Sequence, residues 1–182
     1  AQNVVRLFFG EDGEMRREHD RLFKSLFASP DSYLSIIKVL SENKQGLSRD
    51  EIANKAKLSN NGRLSKMLTT LKNCDFIRSF NVKEKKIKAN AQFYQLTDLF
   101  TLFHYTFAQK TTTDEHYWSN MIGTSRMNSW LGLAFERVCL LHIPQIKSTL
   151  GIDRIHTEYY SWRSKHSQPA AQIDLIIERA DN

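Results

Sequence analysis

This 182-residue chain has no paired cysteine ligands, no histidine ligand spacing, no phosphate-cradling loop, no long apolar run and no internal repeat, and each absence removes a class of function. Its two cysteines, Cys74 and Cys139, lie in different regions with no C-x-x-C spacing, so both are read as reduced and no cysteine-based metal site is expected. The six histidines, His19, His104, His116, His142, His156 and His166, show no H-E-x-x-H or related pattern, which argues against histidine metal ligation. Without a G-x-x-x-x-G-K-S/T loop the chain is not expected to hydrolyse ATP by itself. No nucleophile has a visible base and orienting acid, so covalent catalysis is not expected either. The most apolar stretch, 130–143, is interrupted by Glu136, Arg137 and His142 and falls short of the roughly 18 to 20 apolar residues of a membrane span. The start of the chain lacks the basic and apolar regions of a secretory signal, so a cytoplasmic protein with no membrane partner is expected. Because the first Met is Met15, a piece of a longer protein is expected.

What the chain does have is concentrated charge. Residues 44–90 hold 12 Lys and Arg against 4 Asp and Glu, whereas 1–43 hold 6 against 7 and 91–182 hold 8 against 9. The whole formal charge of +6 therefore arises in one quarter of the chain. Such a concentration is the electrostatic footprint of a nucleic-acid contact surface.

The same stretch has a recognisable order of elements. An amphipathic helix is predicted over 13–28, anchored by Met15, Leu22, Leu26 and Phe27, with Ser29-Pro30 breaking it and capping the next. A second helix over 31–43 repeats Tyr33, Ile36, Ile37 and Leu40, and Gly46 closes it. Ser48-Arg49-Asp50-Glu51 has the capping-box form and opens a helix that ends near Lys57. A further helix over 60–75 sets Leu64, Met67, Leu68 and Leu71 on one stripe and turns Lys66, Thr69 and Asn73 outward. A strand over 76–82, a basic turn over 83–90 and a returning strand over 92–96 complete a winged helix-turn-helix pattern. Next comes an aromatic helix over 98–110, then helices over 114–122 and 125–143, the last extended past Pro144 by a short helical turn. Two strands over 154–163 and 170–179 end the chain, separated by a polar loop that contains Pro169. Trp118, Trp130 and Trp162, with Phe100, Phe103 and Phe107, are read as core rather than as a base-stacking surface.

In a helix-turn-helix the second helix of the motif enters the major groove, and polar side chains near its start reach base edges. Asn60, Asn61, Arg63, Ser65, Lys66 and Thr69 are the candidates here: Asn matches adenine, Arg and Lys match guanine, and Ser and Thr discriminate less. Lys83, Lys85, Lys86 and Lys88 on the wing would meet phosphates, which positions a protein without reading sequence. Set against this, lysines also serve simply to solvate an exposed hairpin, and winged helices also bind proteins.

Two carboxylates stand out in the last third. Glu136 has Gly132, Leu133, Cys139 and Leu140 as its helical neighbours and so lacks a polar face. Asp174 lies in a predicted strand, where Asp is disfavoured, between Ile173 and Leu175. Together they could hold a divalent cation of the kind nucleases use to activate water. The ordinary alternative is an ion pair of Glu136 with Arg137 or Arg163.

Taken together, NVVRLFFGEDGEMRREHDRLFKSLF at 3–27, LSRDEIANKAKLSNNGRLSKMLTTLKNCDFIRSFN at 47–81, FYQLTD at 93–98, WLGLAFERVCLLHIPQIK at 130–147 and AAQIDLIIE at 170–178 resemble the C-terminal portion of the archaeal-type AAA ATPase family. In that family an ATPase domain precedes a winged helix and a PD-(D/E)XK nuclease-like domain. The resemblance implies that Glu136 matches the helical carboxylate of the nuclease fold and Asp174 its strand aspartate. It also requires a Glu-x-Lys on a following strand. A literal E-x-K, Glu84-Lys85-Lys86, lies upstream in the wing and cannot fill that place. By the resemblance, ATP belongs to the parent protein, and Mg²⁺ or Mn²⁺ to a completed nuclease-like domain, with no cofactor in this chain.

The expectation is an α+β, mainly helical fold: a winged helix-turn-helix followed by an incomplete restriction-endonuclease-like α/β unit. Its parts are a helical linker over 1–28, the winged helix over 29–97, connecting aromatic helices over 98–123 and the truncated nuclease-like unit over 124–182. The expected role is to supply DNA binding to an ATPase, with the chain's own ATPase domain as a further partner. The rival is a protein-interaction module that docks on that domain or on another protein, and a third reading is a divalent-metal nuclease in the complete parent.

Overall fold

A computed structural model describes residues 2–11, 13–81, 92–109, 111–164 and 171–181. The fold is α+β and mainly helical, with two small antiparallel sheets among the described residues. The chain begins with a short helix α1 (Gln2–Val4) that continues as a π-helical turn, Val5–Phe9. Helix α2 (Glu14–Leu26) follows, and its inward face carries His19 and Phe23, with Phe27 just beyond its end. Those positions recur every four residues, so they share one face. Leu26, expected as an anchor, falls off that face and is 49% exposed.

Helix α3 (Pro30–Glu42) opens with proline in its first turn, where the missing N–H is not needed. Ser29 occupies the cap position, but its side chain makes no capping hydrogen bond. The helix buries Ile36, Ile37, Val39 and Leu40. The turn after it passes through Gly46 at φ +87°, where a Cβ would come 2.8 Å from the Tyr94 carbonyl oxygen. Only glycine fits both the angle and the approach. The two-residue strand β1 (Leu47–Ser48) then leads into helix α4 (Arg49–Ala56), whose capping box is formed as expected. The Glu51 N–H donates to Ser48 Oγ at 3.3 Å, and the Ser48 N–H donates to Glu51 Oε2 at 2.8 Å.

Helix α5 (Gly62–Asn73) buries Leu64, Met67, Leu68 and Leu71, the stripe its periodicity predicts. Strands β2 (Ile77–Asn81) and β3 (Gln92–Leu96) pair antiparallel from Ile77 opposite Leu96 to Asn81 opposite Gln92. Strand β1 adds to the other edge of β3, giving the sheet order β1-β3-β2. The basic turn expected over 83–90, with Lys83, Lys85, Lys86 and Lys88, lies outside the described residues.

Two cores hold the molecule together. The first gathers Ile36, Ile37, Leu40, Ile52, Leu64, Leu68, Leu71 and Leu96, and draws in Phe23 and Phe27 from the start of the chain and Leu133 from its last third. The second is aromatic. It forms around Phe9, Phe107, Ala108 and Met127, with Phe103, Tyr117, Trp118 and Trp130 packed against them. Helix α6 (Leu99–Phe103), capped by Asp98, runs into a second π-helical turn, His104–Ala108, that serves this core. The segment 1–28, expected as a linker, thus contributes to both cores.

Helices α7 (Tyr117–Met121), α8 (Ser125–Leu141) and α9 (Ile143–Thr149) complete the helical part. Strands β4 (Thr157–Ser164) and β5 (Ala171–Arg179) form a two-stranded sheet whose register shifts between Tyr160 and Trp162. The loop expected to contain Pro169 lies outside the described residues. Trp118 and Trp130 are packed as expected, but Trp162, on this sheet, is 37% exposed and belongs to neither core.

Candidate nucleic-acid interface

The junction of α4 and α5 is set by backbone chemistry. Lys57 ends α4 in the left-handed conformation at φ 55°, and its N–H returns to the Ala53 and Asn54 carbonyls. This reverses the chain without a glycine, at a modest conformational cost. Four residues later Asn61 caps α5: its Oδ1 accepts from the Arg63 N–H at 2.9 Å and from the Leu64 N–H at 3.4 Å. Two otherwise orphaned donors are thereby satisfied. The start of α5 is held open to solvent, with Asn60, Asn61, Gly62, Arg63 and Lys66 exposed.

The six helix candidates share this surface but differ in what their polar atoms are doing. Asn60 Nδ2 donates to Asp50 Oδ1 at 2.6 Å, tying the turn to the start of α4. Ser65 Oγ accepts from Arg49 Nη1 at 2.8 Å, a second tie between the two helices. Thr69 Oγ1 donates to the Ser65 carbonyl at 3.0 Å, and Thr70 Oγ1 to the Lys66 carbonyl at 2.9 Å. Among the described residues, the side chains of Arg63 and Lys66 make no hydrogen bond or ion pair and project from successive turns of α5. Arg49 was not among the candidates, although its basic side chain reaches the same surface through Ser65. Its place in the capping-box sequence, one residue after the cap, could have flagged it.

The two carboxylates fall in a different environment: Glu136 sits at the joint between α8 and the first sheet, and Asp174 is exposed on β5 of the second. Arg137, fully buried, donates from Nε to the Leu96 carbonyl at 2.9 Å and from Nη2 to the Lys44 carbonyl at 3.0 Å, while its Nη1 is bonded to Glu136 Oε1. Gln95 Nε2 also reaches the Lys44 carbonyl, at 2.8 Å, and Gln95 Oε1 accepts from Arg78 Nε at 2.7 Å. Burial lowers the pKa of Arg78 to about 10, with the Arg137 charge acting in the same direction and Glu136, Tyr159 and Asp174 opposing it. Burial also lowers Arg137, and Glu136 and Asp174 counter that. Asp174 is therefore within electrostatic reach of both guanidiniums, as Glu136 is. Of the two roles open to Glu136, the ion pair with Arg137 is the one its geometry displays. Arg78 and Gln95, the other members of this network, had no distinguishing signal in the sequence beyond being polar residues in short strands. Among the described residues no group of three or more His, Cys, Asp or Glu side chains is arranged to hold a metal ion, and no helix is long and apolar enough to cross a membrane.

Comparison with protein-family models, with curated proteins and with solved structures finds no match for this chain.

Proposed function

We propose that this chain is a DNA-binding region in which residues 29–97 act as a winged helix-turn-helix and α5 is the helix offered to the major groove. One observation carries the reading: the segment that holds the whole net charge also presents Arg63 and Lys66, exposed and with side chains free of partners among the described residues, on the helix that follows the α4–α5 turn. The order helix, short strand, helix, helix, hairpin, with β1 added beside β3, supports the winged-helix assignment. Lys83, Lys85, Lys86 and Lys88 belong to this proposal by sequence. The larger proposal, by resemblance, is that the region serves an archaeal-type AAA ATPase in the cytoplasm, with ATP bound by the parent and not by this chain.

The test is charge reversal of Lys83, Lys85, Lys86 and Lys88 to Glu, read as binding of a short labelled duplex at low salt. Loss of binding with an unchanged unfolding midpoint is expected. Undiminished duplex binding in that variant, or none in the unaltered chain, rejects the proposal.

A second reading, a module that docks on its own ATPase domain or on another protein, draws on a separate observation. Leu131, Phe135 and Leu141 on α8 are exposed at 51%, 70% and 54%, so an apolar stripe of this helix faces solvent. Under that reading the lysine reversal leaves partner capture intact. The nuclease-like unit over 124–182 and its divalent cation remain a proposal for the complete parent. Arg78 and Arg137 lie within electrostatic reach of both carboxylates and their charge opposes a cation, so this proposal rests on the resemblance and on the strand it requires. In the extended chain, DNA cleavage with either metal that is lost on Glu136→Ala or Asp174→Ala would support it.

A further inference from the structure

Resting on the duplex-binding reading above, we infer that α5 reads guanine at one or two positions and leaves adenine unread, so that the rest of its affinity is independent of sequence. An adenine edge in the major groove presents an acceptor at N7 and a donor at N6, and recognising both takes a side-chain amide with its carbonyl and its NH₂ free together. The start of α5 has two amides, and each has one half engaged. Asn60 has its NH₂ on the Asp50 carboxylate at 2.6 Å, and Asn61 has its carbonyl oxygen on the first backbone N–H groups of the helix. Releasing Asn60 would strand a carboxylate facing the DNA, and releasing Asn61 would uncap a 12-residue helix. Either loss is comparable in size to the discrimination gained from a bidentate base contact.

The hydroxyls are committed in the same manner. Ser65 accepts from Arg49, and the Thr69 and Thr70 hydroxyls are turned back to carbonyls four residues earlier in α5. Asn73, also exposed, is the last residue of α5, about 15 Å along the axis from Arg63, beyond the helix start that meets base edges. Lys72, exposed in the last turn of α5, is likewise beyond the helix start, so among the described residues the polar heads left near that start are those of Arg63 and Lys66, spaced i, i+3 on one face. Both offer donors only, and a guanine edge is the one that presents two acceptors, O6 and N7, to a donor pair. Arg63 can take both in its planar fork, whereas Lys66 acts as a point charge able to serve either a guanine or a phosphate.

The experiment is selection of the full chain on a randomised duplex library, followed by affinity measurement on the enriched sequences and their base analogues. Enrichment confined to one or two G·C pairs is expected, with about 10-fold preference for guanine at the stronger position. Replacing that guanine with 7-deazaguanine, which lacks the N7 acceptor, should remove most of the preference. Arg63→Ala should abolish the preference and make the chain insensitive to the analogue, while Asn60→Ala, whatever it does to affinity by baring Asp50, should leave the preferred base unchanged. An enriched motif containing required A·T pairs, especially one lost with Asn60→Ala, overturns the inference but leaves duplex binding standing, and so does enrichment without any base preference. Failure to bind any duplex at low salt overturns the DNA-binding reading itself. Arg63 is exposed and outside both cores, so its variant keeps the fold and its result reports on recognition.

Discussion

His19 and His104 meet face to face, their ring centroids 3.9 Å apart and their planes 4° from parallel, at the place where α2 packs on the π-helical turn. His19 is 1% exposed, and both His19 Nε2 and His104 Nδ1 are buried without a hydrogen-bond partner among the described residues. Burial pushes both pKa values down, His104 to about 4, and the neighbouring His19 lowers His104 further. The groups facing the pair are Asp20 and Arg16 from α2, Asp98 at the cap of α6, and Tyr105 beside His104. Asp20 raises both histidines and Asp98 raises His19, while Arg16 lowers His104; the burial effect exceeds them all. The folded state therefore holds neutral imidazoles over a range in which the unfolded chain binds protons. As pH falls from about 6.5 towards 4, the unfolded state gains protons first, and stability is lost across that window. His104 should contribute a loss of about 1–2 kcal/mol between pH 7.5 and pH 5, after allowance for its partial exposure. Urea unfolding at those two pH values tests this, and His104→Phe, which keeps an aromatic ring against His19, should flatten the difference. An equal acid sensitivity in that variant would assign the effect to other groups.

At the scale of elements, α8 shows why an apolar stripe does not settle what a helix buries. Its inward face runs through Met127, Leu133 and Arg137, so a guanidinium occupies a position where periodicity leads one to expect a leucine. Arg137 belongs there because it donates to the Leu96 carbonyl at the end of β3 and, alongside Gln95, to the Lys44 carbonyl in the turn before β1, contacts that an apolar side chain could not supply. Glu136, the residue that looks misplaced in the sequence, keeps 20% exposure and neutralises its neighbour. Arg137→Ala should cost about 3 kcal/mol in a urea unfolding measurement, since it removes the buried donor to the Leu96 carbonyl, one of two donors to the Lys44 carbonyl and the ion-pair partner of Glu136. Leu133→Ala should cost about 2–4 kcal/mol, and Phe135→Ser, at 70% exposure, less than about 0.5 kcal/mol. A large loss for Phe135→Ser would mean that the exposed stripe is covered in solution. The same contrast explains what was legible elsewhere. The Leu64, Met67, Leu68 and Leu71 stripe, the capping box at Ser48 and the strand 92–96 are local patterns, and each forms where its residues lie. Strand β1 escaped notice because two residues carry no periodicity, and the opening helix because its apolar residues serve a distant aromatic core. The candidate site was legible in residue type but not in availability. Asn60 and Ser65 find their partners 10 and 16 positions away, which only the fold brings close.

For the whole molecule, the distribution of charge decides how a duplex would be met. The basic stretch 44–90 stands between flanks that carry one more acidic than basic residue each, so phosphate attraction is confined to one region and the flanks oppose binding in other orientations. A duplex held this way releases condensed counterions in proportion to the phosphates neutralised. If about four helix and wing cations each displace one, log affinity should fall against log salt with a slope of roughly −3.6. Fluorescence anisotropy with a short duplex between low and moderate salt measures that slope directly. Lys66→Ala should bring it to about −2.7 if Lys66 lies on a phosphate, while Arg63, on a guanine edge, adds little to the slope and the wing lysines supply the remainder. A slope and a base preference both unchanged in the Arg63→Ala, Lys66→Ala double variant would place α5 away from the duplex and leave the wing as the sole contact. A slope near zero in the unaltered chain would show that the concentrated charge has no polyanion to neutralise, and would turn the exposed stripe of α8 into the more informative surface.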